Sequence, residues 1–397
     1  MDTSDPDIQF DNQGVCHHCA QYQRRRLQEL PEPDNARKIL SALVEQMKHE
    51  GKGKDYDCII GLSGGVDSSY VAYQVSKLGL RALAVHLDNA WNSELAVGNI
   101  EKIVNKLGID LYSHVLPWEE FRGLQRAFFQ ASVPNCEMPT DHAILAVLFD
   151  TAAKQGVRFI LSGSNLASEG ITLPPAWGRD YRDWTHLKSI HRLFGKTPLN
   201  TFPRLPFLKL MYRVFVNRIR FIPILNYMPY VKTQAIEVLR SELGWAEYGR
   251  KHGESLYTRY FQEHYLPVKF GYDKRRLHYS VLINSGQMTR AEALNKLDAP
   301  MFSSEELEQL TTFFLKKLMV SREEWSKIMS QPCRSHLDYP TNWCFTMRES
   351  AAAQLVRRLA TGRSKVDRAP LPSASRNILV ETHSTPPLRP NEIRKLK

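Results

Sequence analysis

The chain is expected to be an α/β protein, a Rossmann-like doubly wound parallel sheet followed by a mostly helical C-terminal domain. Three observations point there. Between residues 57 and 162, short apolar runs that stop at small residues alternate with amphipathic stretches of helical length. Strands that alternate with helices pair in parallel and take helices on both faces. The first run, Cys58-Ile59-Ile60-Gly61-Leu62, is apolar throughout, as a strand covered on both sides must be. After about residue 190 the alternation stops, and 233–360 shows helical periodicity instead.

The elements follow in order. Residues 1–35 are polar and carry Cys16-His17-His18-Cys19, the basic run Arg24-Arg25-Arg26 and Pro31-Glu32-Pro33, so they read as an N-terminal appendage and linker. Residues 36–50 place Ile39, Leu40, Leu43, Val44 and Met47 at helical spacing. A core domain, 36–190, then runs strand 57–62, helix 66–78 stopped by Gly79, strand 81–87, helix 93–107 stopped by Gly108, strand 109–116, helix 118–130, helix 140–155 and strand 157–162. A second domain, 191–360, contains an apolar and basic segment at 205–231 before its helices. Residues 361–397 are rich in Pro, Ser and Arg and are expected to be disordered.

Composition narrows the function classes. The chain has 397 residues, of which 43% are hydrophobic and 24% charged, which excludes wholesale disorder. Six Cys in a chain of this length do not make a disulfide framework, so a cytoplasmic setting with reduced thiols is expected. No stretch has the roughly 18 uncharged apolar residues that a membrane span requires. The net charge of +11 is concentrated. Segment 192–232 holds eight Lys/Arg and no Asp or Glu, and 361–397 holds eight Lys/Arg against three acids. The remainder is close to neutral, which is not the continuous basic face of a nucleic-acid binder, and no nucleic-acid partner is expected.

The sharpest motif is Ser63-Gly64-Gly65-Val66-Asp67-Ser68-Ser69, directly after the first strand and opening the next helix. Paired glycines let the backbone approach a bulky anion, and the first-turn N–H groups and the helix dipole attract it. Ser63, Ser68 and Ser69 add hydroxyl donors. A carboxylate at Asp67 fits such a nest when a cation such as Mg²⁺ bridges it to phosphate. Neither G-x-x-x-x-G-K-[ST] nor a G-x-G-x-x-G after a strand is present. In a parallel sheet the ends of the second and fourth strands lie on the same rim, so His86, Asp88 and Asn89, and then Ser162, Gly163, Ser164 and Asn165, are candidates for the nucleotide site. Asp141, at the start of a helix, and Glu169, in the loop after the fourth strand, are candidate catalytic carboxylates, Glu169 as a Mg²⁺ ligand or a guide for ammonia.

The loop resembles that of the PP-loop ATP pyrophosphatases, which split ATP between its α and β phosphates. The strings Gly14-Val15-Cys16-His17-His18-Cys19, His86-Leu87-Asp88-Asn89-Ala90-Trp91-Asn92-Ser93, Pro139-Thr140-Asp141-His142-Ala143, Ser162-Gly163-Ser164-Asn165 through Gly170, Lys251-His252 through Ser255, and Lys269 through Arg276 resemble, in collinear order, the N-acetyl sugar amidotransferases. The resemblance implies that ATP adenylates the acetamido oxygen of a nucleotide-linked acetamido sugar, and that ammonia then replaces that oxygen to give an acetamidino group in lipopolysaccharide O-antigen biosynthesis. It makes 36–190 the ATP-binding domain and 191–360 the substrate or partner domain. It points to Lys251 and His252, with Asp67, Asn165, Glu169 and Asp141, as catalytic residues, and to Ser168, Gly170, Arg259, Arg275 and Arg276 as groups that bind the sugar nucleotide. It also implies zinc at Cys16 and Cys19, which supply only half of a four-ligand site.

No cysteine sits in the nucleophile turn of a class I glutaminase, so ammonia is expected from a separate glutaminase subunit. Two readings stay open for 205–231, a core helix with snorkelling Arg or an interfacial helix in peripheral contact with the inner membrane. The alternative function is a tRNA-modifying PP-loop enzyme of thiolation or lysidine type. The near-neutral core and isolated cysteines weigh against it.

Overall fold

Five parallel strands form one sheet: β1 (Cys58–Gly61), β2 (Ala82–Asp88), β3 (Asp110–Val115), β4 (Phe159–Ser162) and β5 (Arg220–Pro223), in spatial order β3-β2-β1-β4-β5. This computed structural model describes residues 1–178, 180–248 and 253–342. The helices are α1 (His17–Glu29), α2 (Pro33–Glu50), α3 (Val66–Lys77), α4 (Glu94–Leu107), α5 (Trp118–Gln130), α6 (Met138–Lys154), α7 (Leu166–Glu169), α8 (Trp184–Phe194), α9 (Phe207–Met211), α10 (Lys232–Leu243), α11 (Leu256–Tyr260), α12 (Leu266–Phe270), α13 (Lys274–Asn284), α14 (Arg290–Asp298), α15 (Ser304–Leu318) and α16 (Arg322–Ser330). Two of them continue into π-helical turns, α9 through Tyr212–Val216 and α11 through Phe261–Tyr265.

Alternating residues of β1 show that the sheet is wound on both sides. Cys58 and Ile60 pack with α2, α3, α4 and α10, through Met47, Val71, Ile103 and Leu239. Ile59 packs on the other face with α6 and α9, through Leu145, Phe149 and Leu210. A third core joins α5, α8, α11, α15 and α16 around Phe129, Tyr260, Phe314 and Trp325. The doubly wound α/β expectation therefore holds.

One organisational expectation is corrected. The strand rhythm does not end near residue 190, because β5 pairs with β4 in register Phe159↔Arg220 to Ser162↔Pro223. Its interruption by α8 and α9, and its short Pro-terminated run, hid it from periodicity. Residues 1–35, expected as an appendage and linker, contribute α1. Tyr22 of α1 is buried with Ile171, Trp177, Leu277 and Val281, which fastens α1 to α13. The expected disordered tail, 361–397, lies outside the described residues.

Candidate active site

The sheet leaves one natural place for a ligand. The chain moves from β1 to β2 and β3 on one side, and from β4 to β5 on the other, so β1 and β4 flank the point where the order reverses. Ligands settle beyond the carboxyl ends of strands at such a point. A cavity of about 540 Å³ lies there, lined by the turns after β1, β2 and β4, the start of α6, and residues of α11 and α13.

The turn after β1 is held open by bonds from a distant part of the chain. Gly64 takes φ +83, and a Cβ there would come within 2.9 Å of the Ala96 carbonyl oxygen. Trp245 Nε1 and the Tyr248 hydroxyl donate to the Gly64 carbonyl at 2.8 and 2.9 Å, which turns that oxygen away from an incoming anion. Gly65 caps α3 without any side-chain cap, so the first-turn N–H groups keep no acceptor from their own cap residue. The Ser63 and Ser68 hydroxyls lie 3.0 Å apart, and both residues line the cavity.

The turn after β4 abuts the first. A Cβ on Gly163 would sit 2.9 Å from the Asp67 carbonyl carbon and 3.0 Å from Ser68 N, so only glycine lets the two turns meet. Asn165 donates to Asp67 Oδ1 at 3.2 Å, Ser168 Oγ donates to the same oxygen at 3.4 Å, and the Tyr230 hydroxyl donates to it as well. Three donors on one oxygen fix the carboxylate's orientation at the cavity wall. Burial, with Asp67 and then Glu169 beside it, pushes the Tyr230 phenol well up, so it stays a donor. Asp67 and Glu169 both line the cavity and both act on Tyr230, a pair of hard oxygen donors that fits Mg²⁺.

The opposite wall is acidic. Glu137 and Asp141 stand one turn apart at the start of α6. Glu137 accepts from Gln262 Nε2 at 2.9 Å and pairs with Lys274 at 3.2 Å. Burial, with Glu137 and Glu169 beside it, pushes the Asp141 carboxyl up to about 7 against the opposing pull of Lys274. A carboxyl poised near neutrality, in a cleft, is suited to accepting a proton. His142 is not: its Nδ1 meets the Tyr181 carbonyl at 2.8 Å, its Nε2 accepts from Leu205 N at 3.1 Å, and burial pulls it down to about 4.

Of the residues singled out from sequence, Ser63, Gly65, Asp67, Ser68, His86, Asn89, Asp141, Ser162, Gly163, Ser164 and Glu169 line the cavity. His86 does so as wall, since Nδ1 meets Leu62 O at 2.9 Å and Nε2 meets Asn92 Nδ2 at 3.1 Å.

Others are placed differently. Gly64 shapes the turn from behind. Ser69 is fully buried with no hydrogen-bond partner for its hydroxyl, because it falls on the inner face of α3. Asn165 and Ser168 are buried and orient Asp67 rather than facing the cavity. Asp88 accepts from Ala90 N at 2.8 Å and organises its own turn. Gly170 lies against the Tyr22 ring.

The three arginines do not reach the site. Arg259 pairs with Glu306 and Glu263 and lies over the Phe302 ring. Arg275 binds Asp273 and the carbonyls of Lys296, Leu297 and Ala299, closing the end of α14. Arg276 pairs with Asp2. In each case a nearby acid or helix end captures the guanidinium, which a charge run in sequence does not reveal. Lys251 and His252 lie outside the described residues.

Sequence reasoning missed Glu137, Gln262, Lys274 and Tyr230 as site residues. Glu137 precedes a string already singled out, and Lys274 belongs to a charge run whose neighbours were chosen instead; Tyr230 carried no signal.

The zinc expectation does not fit. Cys16 and Cys19 hold their Sγ atoms 3.4 Å apart, and Cys19 lowers the Cys16 thiol to about 5. Among the described residues no third ligand joins them. Asp5, His17 and His18 do converge within 4.8 Å, but this group does not include the two cysteines. His17 Nδ1 accepts from Gln9 N at 3.0 Å, which leaves the proton on Nε2, and His18 Nε2 binds Asp5 Oδ2 at 2.6 Å with both residues buried.

Residues 254–351 match the family described as LPS biosynthesis protein WbpG-like, C-terminal domain. Comparison with curated proteins gave no match. Solved structures similar to the chain include NMN synthetase from Francisella tularensis, at 13% identity over 73% of this chain and 98% of that one, with a TM-score of 0.31. They include the NH3-dependent NAD synthetase from Campylobacter jejuni subsp. jejuni NCTC 11168, in complex with the nitrate ion, at 14% identity over 75% and 97%, with a TM-score of 0.32. A third is described as a "predicted subunit of tRNA methyltransferase" from Methanocaldococcus jannaschii DSM, at 16% identity over 47% and 76%, with a TM-score of 0.26. Glu254, Ser255, Thr258, Gln262 and Lys274 line the cavity from within the matched segment, so the part of the chain that is similar to the WbpG-like C-terminal domain supplies part of the cavity wall.

Proposed function

We propose that the protein is an ATP-dependent, AMP-forming amidotransferase acting on a nucleotide-linked acetamido sugar in the formation of lipopolysaccharide or a related surface glycan. The observation that carries this reading is one cavity with two chemistries. An anion-accepting turn ends β1, and carboxylates with a lysine stand opposite, contributed in part by the WbpG-like segment.

The substrate's acetamido carbonyl oxygen attacks the α-phosphorus of ATP, and pyrophosphate leaves. Ammonia adds to the activated imidate carbon, AMP departs with the former carbonyl oxygen, and loss of a proton leaves an acetamidino group. An amide oxygen is a poor leaving group, and adenylation repairs that. The first-turn N–H groups of α3 and the hydroxyls of Ser63, Ser68, Ser162 and Ser164 receive the phosphates. Asp67 and Glu169 would hold Mg²⁺, which when bound neutralises charge on the departing pyrophosphate. Asn165, Ser168 and Tyr230 keep Asp67 aimed. Asp141 takes the proton that the incoming nitrogen loses, and Glu137 with Lys274 sets its acidity. In this reading ammonia comes from a separate class I glutaminase subunit.

The test uses the purified chain with ATP, Mg²⁺, ammonium chloride and a UDP-linked diacetamido-uronic acid. Mass spectrometry should show one sugar oxygen replaced by NH, with AMP and pyrophosphate formed in equal amounts and glutamine inert as the nitrogen source. Release of ADP and orthophosphate, or an unchanged sugar with ATP consumed, would falsify the reading.

A further inference from the structure

The helix formed by α9 and its π turn has two apolar faces, and among the described residues only one is covered. Leu210 is buried, and Met211 and Val214 pack with it against the α6 side of the sheet. Lys209 and Arg213 close that face by pairing with Asp150 of α6 at 2.7 and 2.9 Å. The other face holds Leu208, Tyr212, Phe215 and Val216, exposed by 80%, 53%, 40% and 60%. Their spacing of four, three and one places them on one side of the helix. Elsewhere among the described residues no ten-residue stretch exposes more than three large apolar side chains. The π turn at Tyr212–Val216 is itself uncommon, and such turns gather at functional places.

Charge indicates what covers this face. The segment 192–232 has eight Lys/Arg and no Asp or Glu. Lys209 and Arg213 share Asp150, which offsets one of their two charges, and Arg204, Arg218 and Arg220 are exposed on either side of the apolar stripe. An apolar stripe flanked by cations and devoid of carboxylates complements a surface that is negative outside and apolar beneath. No described helix is long and apolar enough to cross a membrane, so the contact would be peripheral.

We propose that α9 and its π turn dock the protein on an anionic lipid surface, Leu208, Tyr212, Phe215 and Val216 entering the interface and the flanking arginines meeting headgroup phosphates. None of the four stripe residues lines the cavity, so the proposal stands apart from the reaction assigned above.

The test is co-sedimentation of the full-length chain with vesicles of phosphatidylglycerol and phosphatidylcholine, compared with phosphatidylcholine alone. Anionic vesicles should bind at least about tenfold more strongly, and 0.5 M salt should weaken the binding. A Leu208→Asp, Phe215→Asp double variant should lose about tenfold in partitioning while its circular dichroism spectrum and melting temperature stay those of the parent. A chain that ignores anionic vesicles overturns the proposal. So does binding that the double variant retains, which would assign it to other basic segments. So does a dimer by light scattering that the double variant dissociates, which would assign the face to a second copy.

Discussion

The two walls of the cavity are built by different means. The wall at the ends of β1 and β4 presents backbone and small side chains, joined by bonds that span two to five residues, such as Ser63 to Ser68 and Ser162 to Ser164, and braced from behind by Trp245, Tyr248 and Tyr230. The wall opposite is made by long side chains brought together across the chain, Glu137 to Gln262 over 125 residues and Glu137 to Lys274 over 137. The first presents N–H and O–H donors and suits an anion. The second presents carboxylates and suits a cation or a proton donor. A cavity polarised in this way can hold phosphates on one side and receive a basic nitrogen on the other without the two competing. The difference also separates rigidity from tuning. Local turns fix geometry, whereas a tertiary cluster of like charges sets a pKa.

Asp67 is the point where the donor wall carries a negative charge, and removing that charge should have the largest effect. Asp67→Asn keeps the side chain's size while discarding its charge and its grip on a cation. Formation of AMP should fall by about 10³-fold. The fold should survive, because Tyr230, Asn165 and Ser168 can still bond the amide oxygen. A Tyr230→Phe control should cost much less, since it removes one of three donors. If Asp67→Asn turned over within tenfold of the parent, the donor wall would not be the phosphate site.

The meeting of the two turns provides the next break. Gly163→Ala places a methyl 2.9 Å from the Asp67 carbonyl carbon, against backbone that has nowhere to yield. The loop must shift, and an error of that size in a positioned group costs on the order of 10²-fold in kcat/KM. Gly65→Ala meets the Glu254 carboxylate at 3.3 Å and the Ser63 hydroxyl at 3.4 Å, side chains rather than backbone. The ratio of the two variants, read from steady-state kinetics, tests whether turn-to-turn contact or general crowding controls the donor wall.

The same contrast explains what could be read from the sequence. Ser63, Gly65, Asp67 and Ser68 were legible because a backbone nest needs contiguous small residues after a strand, and that pattern survives in one dimension. Ser162, Gly163 and Ser164 were legible through the rim rule for parallel sheets. Ser69 was misplaced because contiguity does not say which residues face inward on a helix; at one turn in, its hydroxyl points into the core. Glu137, Gln262 and Lys274 were illegible as a group because their meeting depends on how α6, the π turn after α11 and α13 pack. Arg259, Arg275 and Arg276 misled for the same reason in reverse, their partners Glu306, Asp273 and Asp2 being set by tertiary structure. β5 was hidden because four residues between helices carry almost no periodicity.

The smallest expected effect lies on the carboxylate wall, and it is the one that sharpens the contrast most. Asp141 is raised from the ordinary carboxylate range to about 7, so the folded protein favours its protonated form. Its contribution to stability is full below about pH 4 and is lost as pH rises through about 7. Asp141→Asn removes the titration. Parent and variant should melt alike near pH 4, and the variant should be the more stable above pH 7, by about 1–2 kcal/mol once water in the cavity screens the charges. Activity should move the other way. At pH 7 the variant should lose about tenfold with ammonium salts, because the proton acceptor is gone. By about pH 9 free ammonia supplies its own deprotonated nitrogen, and the gap should close. A variant that gains stability above pH 7 yet keeps the parent's pH–rate profile would leave Asp141 as a strained wall residue and move the proton transfer to Glu137 or Glu169.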